Sequence, residues 1–321
     1  MELALDDPRW LAFVRAHPQA GPFHHPAWTS LLAECYGFRP FALAVLDDAG
    51  AVAAGLPAVE ERGRRISLPF TDVCAPLART DDARRKLART VAAHERFEVH
   101  GTLTGAGLTV RRRALTHLLE LEPGVECGFR AQMRRNAARA EREGVVVRRG
   151  ESRADLVDVF YRLHVQTRRR QGVPVQPRRF FRLLWDGVLE PGLGTLFVAY
   201  AGATPVAAAV FLAWNGTAVY KFGASDEAHW RLRPNNLLFR EAIAWACASG
   251  CAQLDFGRTE VAHRGLREFK RGWGAREQPL VYTYAGPVPG TREHRVLAAT
   301  IRRSPPWLCR TVGELAYRYA A

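Results

Sequence analysis

An α/β (α+β) chain of two domains, each with a mixed, mainly antiparallel twisted sheet flanked by helices, is predicted from three features: length, the order of the apolar periods, and one hairpin signature. The 321 residues are about twice the usual single-domain length. In the second half, helical stretches give way to three successive β-type runs and then to helix, strand, helix and strand. That segregation of helices from an antiparallel meander marks an α+β arrangement. Asn215-Gly216 between two apolar runs is a strong two-residue hairpin signal. Domains are expected over 1–125 and 126–286, with a helical tail over 287–321.

In chain order, the first helix is expected over Pro26–Tyr36, opened by proline and closed by Gly37. Phe41–Leu46 and Ala51–Pro57 flank Asp47-Asp48-Ala49-Gly50, a second hairpin. A helix over Asp81–Glu95 leads to strands at Phe97–His100 and Ala114–Leu121. Proline and glycine within 123–128 mark the domain boundary. Beyond it come a helix over Phe129–Glu143, the run Val145–Val147, helices over Arg153–Arg170 and Pro177–Trp185, and strands at Thr195–Tyr200, Pro205–Trp214 and Thr217–Gly223. Asn235–Ser249 (helix), Ala252–Phe256 (strand), Leu266–Arg271 (helix) and Leu280–Tyr284 (strand) complete the unit. The first part follows a reduced version of this order, which suggests an internal duplication.

A net charge of +14 and a pI near 10.2 attract polyanions: nucleic acid, anionic lipid or phosphorylated substrates. The alternative origin is coding bias, since Lys86, Lys221 and Lys270 are the only lysines. Six cysteines without framework spacing predict a reduced, cytoplasmic setting. Cys247 and Cys251 sit one helical turn apart, but no histidine joins them, so no metal is expected. The start has no basic segment followed by an apolar run, and Pro205–Trp214 is about half a bilayer span. The tail carries Arg302, Arg303, Trp307, Arg310, Tyr317 and Tyr319. It is expected to pack on the first domain, with peripheral membrane contact as the alternative. A monomer is favoured.

Acyl-CoA-dependent transferases cradle a pyrophosphate in a glycine-containing loop after the third strand, at a helix N-terminus. Here that loop is Asp226-Glu227-Ala228-His229-Trp230-Arg231-Leu232-Arg233-Pro234. It has no glycine, and Pro234 removes a donor. No cofactor is therefore expected; coenzyme A enters only under an alternative reading.

Tyr220-Lys221-Phe222-Gly223-Ala224-Ser225, Pro234-Asn235, Leu254-Asp255-Phe256-Gly257-Arg258 and Gly265-Leu266-Arg267-Glu268-Phe269-Lys270-Arg271-Gly272-Trp273-Gly274 resemble, in order and spacing, the second domain of the Fem family. These are aminoacyl-tRNA-dependent peptidyltransferases built from two tandem GNAT-like domains. The resemblance covers residues 126–286 well and 20–125 loosely. It implies transfer of an amino acid from aminoacyl-tRNA to an amine of a cell-wall precursor or a peptide (antibiotic) intermediate. It also implies that Phe269 and Lys270 are the catalytic pair, the lysine facing the oxyanion that forms as the amine attacks. The alternatives are an acyl-CoA-dependent N-acyltransferase and a non-catalytic binding module.

The same resemblance assigns Thr167 and Arg170 to gripping acceptor phosphates, with Tyr220, Ser225, Asn235 and Arg258 lining the substrate site. Arg168 and Arg169 belong to an arginine-rich stretch between Arg162 and Arg182 without Asp or Glu, suited to phosphates of tRNA. Arg135, Arg139 and Arg142 share one helical face that either tracks a phosphate backbone or is simply solvated. Asp72 is either a carboxylate that orients or deprotonates the amine, or a turn residue. Departures from the cell-wall branch appear at Trp28-Thr29-Ser30 and Phe97-Glu98-Val99-His100. No nucleophilic-serine, zinc-helix or P-loop motif is present, which excludes those hydrolases and NTPases.

Overall fold

The computed structural model describes residues 1–288 and 295–317. Its strands are β1 (Glu2–Leu3), β2 (Arg39–Leu46), β3 (Val52–Glu61), β4 (Arg64–Ile66), β5 (Leu77–Ala78), β6 (Phe97–Val99), β7 (Leu108–Glu120), β8 (Val145–Arg149), β9 (Gly194–Ala201), β10 (Thr204–Trp214), β11 (Thr217–Ser225), β12 (Gln253–Asp255) and β13 (Arg276–Ala285). The helices are α1 (Pro8–Ala16), α2 (Pro26–Tyr36), α3 (Asp81–Ala92), α4 (Ala131–Arg142), α5 (Tyr161–Gln171), α6 (Arg178–Leu184), α7 (Pro234–Ala248), α8 (Arg264–Gly272), α9 (Arg295–Arg303) and α10 (Pro306–Ala316).

The chain forms two units whose segments interleave: Met1–Thr116 with Gly257–His263 and Glu277–Thr291, and His117–Phe256 with Arg264–Arg276 and Arg292–Ala321. A single sequential break near residue 125 is not what separates them. The return is made by β13, whose Thr283 pairs with Val99 of β6.

In the first unit the strand order is β1-β2-β3-β4-β6-β13, with β5 added to β3. Pairing is antiparallel except between β4 and β6. The β2–β3 turn follows from its sequence. Asp47 Oδ1 accepts from the amides of Ala49 and Ala51, and Gly50 takes φ 79°, a conformation costly for other residues. Helix α3 is capped by Thr80, whose hydroxyl accepts from Ala83 N. It buries Leu87 and Val91 against Phe41, Leu56 and Val99.

In the second unit β12 pairs antiparallel with the end of β7 and parallel with β11, followed by β10, β9 and β8. Asn215 and Gly216 both take positive φ, 50° and 74°, as the tight β10–β11 turn requires. The apolar face of α7, including Leu238, Ala242 and Ile243, packs with Phe197, Ala209 and Phe211. Of two π-helical segments, Asp155–Phe160 before α5 interrupts the helix expected over Arg153–Arg170, and Trp185–Leu189 after α6 continues past the expected end at Trp185.

The tail corrects one expectation. Helices α9 and α10 pack on α5 in the second unit, not on the first domain. Arg169 Nε donates to the Ser304 carbonyl at 2.6 Å, and Ile301 and Cys309 are buried. Two glycines permit the contact: a Cβ at Gly172 would meet the Ala298 carbonyl at 2.7 Å, and one at Gly313 would meet that of Val175 at 2.1 Å. Tyr319 lies outside the described residues. Gly313→Val is expected to undock the tail and lower unfolding free energy by about 1–3 kcal/mol. Urea unfolding with limited proteolysis checks this, with Gly187→Ala, where nothing stands within 4 Å, as the unaffected control.

Candidate active site

Helix α8 is strongly charged, yet Lys270 is buried at 2% exposure while Arg264, Glu268 and Arg271 stay in water. Its position is set by its aromatic neighbours. Trp273, fully buried, meets Phe129 edge-on at 5.0 Å, and its amide donates to the Lys270 carbonyl. Phe269 stands edge-on to Phe239 at 5.2 Å. Gly272 lets α8 approach α4, since a Cβ there would sit 3.0 Å from Met133 Sδ. Arg130 N donates to the Gly272 carbonyl, and Arg130 pairs with Glu268 at 2.7 Å. Lysine is almost never fully buried without compensation. An ammonium withdrawn from water on a packed helix is suited to stabilising developing negative charge.

Thr167, Arg170 and Ser225 come together. The Ser225 amide donates to Thr167 Oγ1 at 3.0 Å, and the Ser225 carbonyl accepts from Thr167 Oγ1 and from Arg170 Nη1 at 3.2 Å. Ser225 Oγ accepts from Trp230 Nε1, and the Arg170 guanidinium lies over the Trp230 ring at 4.8 Å. The end of β11 is thus stapled to α5, leaving Arg170 half-buried with further donors. One turn earlier, His164 is enclosed by Phe160, Phe181 and Phe222. Burial pushes it down to about 3, which keeps it neutral.

The loop after β11 is closed. Asp226 caps a 3-10 turn over Glu227–Leu232 by accepting from Ala228 N, and the Arg233 and Asn236 amides donate to the Trp230 and Arg233 carbonyls. Arg233 itself takes φ 59°. Asn235 is half-buried in the first turn of α7. Tyr220 packs between Phe211 and Phe239 with its hydroxyl over Gly223, and burial raises it to about 12.

Of the arginines assigned to tRNA, Arg135, Arg139 and Arg142 are exposed on α4, Arg139 beside Glu143 at 3.6 Å. Arg168 and Arg169 are half-buried. Arg168 Nε donates to the Pro174 carbonyl and Arg169 Nε to that of Ser304, so both staple the backbone around the end of α5.

Asp72 lies in the first unit, where its Oδ2 accepts from Arg258 N at 3.2 Å; the Arg258 side chain pairs with Glu260. The loop carrying Asp72 contains Leu68 at φ 70° and Phe70 at φ 58°, conformations costing about 1–3 kcal/mol each for non-glycine residues. Three side chains hold it: Trp28 Nε1 donates to Thr71 Oγ1 at 2.8 Å, His100 Nδ1 contacts the Thr71 carbonyl at 2.7 Å, and Tyr282 OH donates to the Asp72 carbonyl at 3.1 Å. His100 also meets Glu98 Oε1 at 3.1 Å, and Arg64 Nη2 meets Glu98 Oε2 at 2.5 Å.

Sequence reasoning missed His100, Glu98 and Tyr282 as supports of Asp72. Their one signal was two polar residues at alternate positions of a buried strand. Burial alone would raise Glu98, but His100 and Arg64 outweigh it and hold the carboxyl at about 2 against an ordinary 4.5. Its contribution to stability is therefore present above about pH 4.5 and lost as pH falls towards 2. Glu98→Gln should flatten the dependence of unfolding free energy on pH across that interval, as measured by urea titrations at stepped pH.

Comparison with known proteins fits this geometry. Residues 128–271 match the family model for the acetyltransferase (GNAT) domain; no curated protein matches by sequence. The fold is similar to that of FemX, at 15% identity and a TM-score of 0.67 over 88% of this chain and 96% of that one. It is also similar to L-PGS from Bacillus licheniformis (13%, TM-score 0.57, 94% and 97% covered) and to a tandem GNAT protein from the clavulanic acid biosynthesis pathway (13%, 0.53, 90% and 99%). Residues 128–271 thus match a GNAT acetyltransferase domain, and the chain as a whole has a fold similar to that of FemX.

Proposed function

We propose that the protein is an aminoacyltransferase that moves an amino acid from aminoacyl-tRNA to an amine, forming one amide bond on a peptide or cell-wall precursor. The observation that carries this reading is the buried ammonium of Lys270, in a unit whose post-β11 loop turns the amides of His229, Arg233 and Asn236 onto carbonyls of the same loop. In this scheme the amine nitrogen attacks the ester carbonyl, and Lys270 stabilises the oxyanion of the tetrahedral intermediate. The carbon–oxygen bond to the ribose then breaks; the ribose oxygen gains a proton and the nitrogen loses one. Phe269 helps exclude water from the ammonium. Arg170 supplies donors for phosphate, and exposed Arg135, Arg139 and Arg142 supply charge for an RNA backbone. Asp72 is a carboxylate suited to the acceptor ammonium.

Lys270→Met removes the buried ammonium and is assayed on protein whose urea transition shows it folded. Transfer should fall by about 10²–10³-fold, the usual cost of losing an oxyanion donor. Product mass spectrometry over a panel of aminoacyl-tRNAs and amines checks both donor and acceptor. Amide formation that survives RNase, or that requires acyl-CoA, would replace the tRNA scheme with CoA-dependent N-acyl transfer.

A second reading of the acceptor is favoured by one surface. Trp307 is 59% exposed, Arg302, Arg303 and Arg310 on the same two helices are exposed, and Ile301 and Cys309 are buried. An exposed tryptophan on helices that also expose arginines suits an anionic bilayer, and a lipid or lipid-linked acceptor would then be presented there. L-PGS, similar in fold, and a putative lysylphosphatidylglycerol synthetase domain from Agrobacterium fabrum give that acceptor class a precedent. Cosedimentation with phosphatidylglycerol vesicles, weakened at least severalfold in Trp307→Ser and absent with phosphatidylcholine alone, is the expected result. Equal partitioning of parent and variant would discard the lipid reading.

A further inference from the structure

We propose that Trp230 is a stacking platform for a nucleobase, so that the indole and the Arg170 guanidinium against it take a nucleotide together, the base on the ring and the phosphate on the arginine. This rests on the reading of Arg170 as a donor to phosphate.

The ring is exposed yet fixed. Trp230 is 45% exposed; single exposed apolar side chains are ordinary, but this one is held from several sides. Its Nε1 donates to Ser225 Oγ at 3.0 Å, and the guanidinium carbon of Arg170 lies 4.8 Å from the ring centroid. Its carbonyl accepts from Arg233 N at 3.0 Å. The turn that carries it is capped by Asp226, which accepts from Ala228 N and meets His229 Nδ1 at 3.0 Å. The N–H edge and one face of the indole are therefore committed. Arg170 donates to the Ser225 carbonyl at 3.2 Å and its side chain is 28% exposed, less than Trp230. The guanidinium is thus the inner group of the pair, and water reaches the outer face of the ring. Little rotamer freedom remains to be lost when a planar ligand stacks there.

The pairing of ring and cation selects the ligand class. An apolar ligand would gain nothing from the guanidinium, and a bare phosphate nothing from the ring; a nucleotide uses both. Stacking on an aromatic side chain accepts any base, because every base has a π face. Arg170 keeps N–H donors beyond its bond to Ser225. Glu227 Oε2 lies 3.9 Å from Arg170 Nε, on a side chain that is 65% exposed. Such a loose surface pair is worth little, and a phosphate making charge-assisted hydrogen bonds displaces it. Arg231 and Arg233 are exposed on the same loop and add positive field. This loop stands between β11 and α7, where acyl-CoA-dependent transferases cradle a pyrophosphate on backbone amides. Here a side-chain platform stands in that place. The nucleotide can belong to the 3′ end of a tRNA, to a nucleotide-linked acceptor or to coenzyme A.

The test is binding, which needs no turnover. Adenosine 5′-monophosphate is titrated into the protein and should shift the Trp230 indole N–H signal in a 15N–1H spectrum, assigned by its loss in Trp230→Phe. In equilibrium dialysis, Trp230→Leu should weaken this nucleotide and adenosine about tenfold or more, while Trp230→Phe, which keeps a π face, stays within about threefold. Ribose 5-phosphate should bind more weakly than the nucleotide and be indifferent to Trp230→Leu. Glu227→Gln should tighten the nucleotide severalfold and leave adenosine unchanged. Trp230→Leu with the parent's affinity, ribose 5-phosphate bound as tightly as the nucleotide, or no binding at millimolar concentration would overturn the inference. The trinucleotide CCA, uridine diphosphate and coenzyme A then tell the sources apart, since the natural one should bind tightest and lose most in Trp230→Leu. A protein that binds nucleotide through Trp230 but forms no amide with any aminoacyl-tRNA would overturn the proposed function and leave the platform standing.

Discussion

The withdrawal of one ammonium from water is the constraint around which the second unit is arranged. Lys270 buried at 2% exposure is expensive in any fold. The surrounding contacts hold α8 in place. Trp273 plugs the end of α8 into the core, Phe269 closes one side against Phe239, and Gly272 brings α8 onto Met133 of α4. A solvated lysine would need none of these. The neighbouring residues of α8 show the contrast, for Arg264, Glu268 and Arg271 are exposed, and the surface pair Arg271–Glu268 is of a kind worth little.

Much of the fold was legible because local chemistry agreed with global structure. Helix α2 begins and ends where Pro26 and Gly37 placed it, and the Asn215-Gly216 turn fixed the β10–β11 register. What was not legible depends on long-range contact. Helix α1 has a short, mixed sequence that carries little periodic signal, and its existence rests on burying Trp10, Phe13 and Val14. The docking of the tail depends on Gly172 and Gly313 as places where two backbones meet, and a glycine in a sequence does not state its partner. The π-helical segments shift side-chain phase by one residue, which apolar periodicity cannot register.

The same division runs through the candidate site. Thr167, Arg170 and Ser225 were singled out by resemblance, and they do meet, through hydrogen bonds spanning 55 and 58 residues of sequence. Arg168 and Arg169 looked equivalent to Arg170 in sequence but bond to the Pro174 and Ser304 carbonyls. Helical phase separates them: consecutive residues turn by about 100°, so an arginine run spreads its charges around α5 instead of forming one patch. Counting basic residues in a stretch therefore overstates the charge offered to one ligand.

Glu98 and His100 extend this argument to the first unit. A sequence displays Asp72 as one more turn-forming aspartate, because its distinction lies in contacts that span 29, 186 and 210 residues: the Thr71 carbonyl to His100, the carboxylate to Arg258 and the Asp72 carbonyl to Tyr282. A simple turn would satisfy its polar groups locally or with water. Here the chain instead commits a buried histidine, a buried tyrosine and an ion pair to two consecutive peptide carbonyls, across a backbone that is itself unfavourable at Leu68 and Phe70. Folds retain such arrangements where the precise direction of one side chain matters more than the stability it costs.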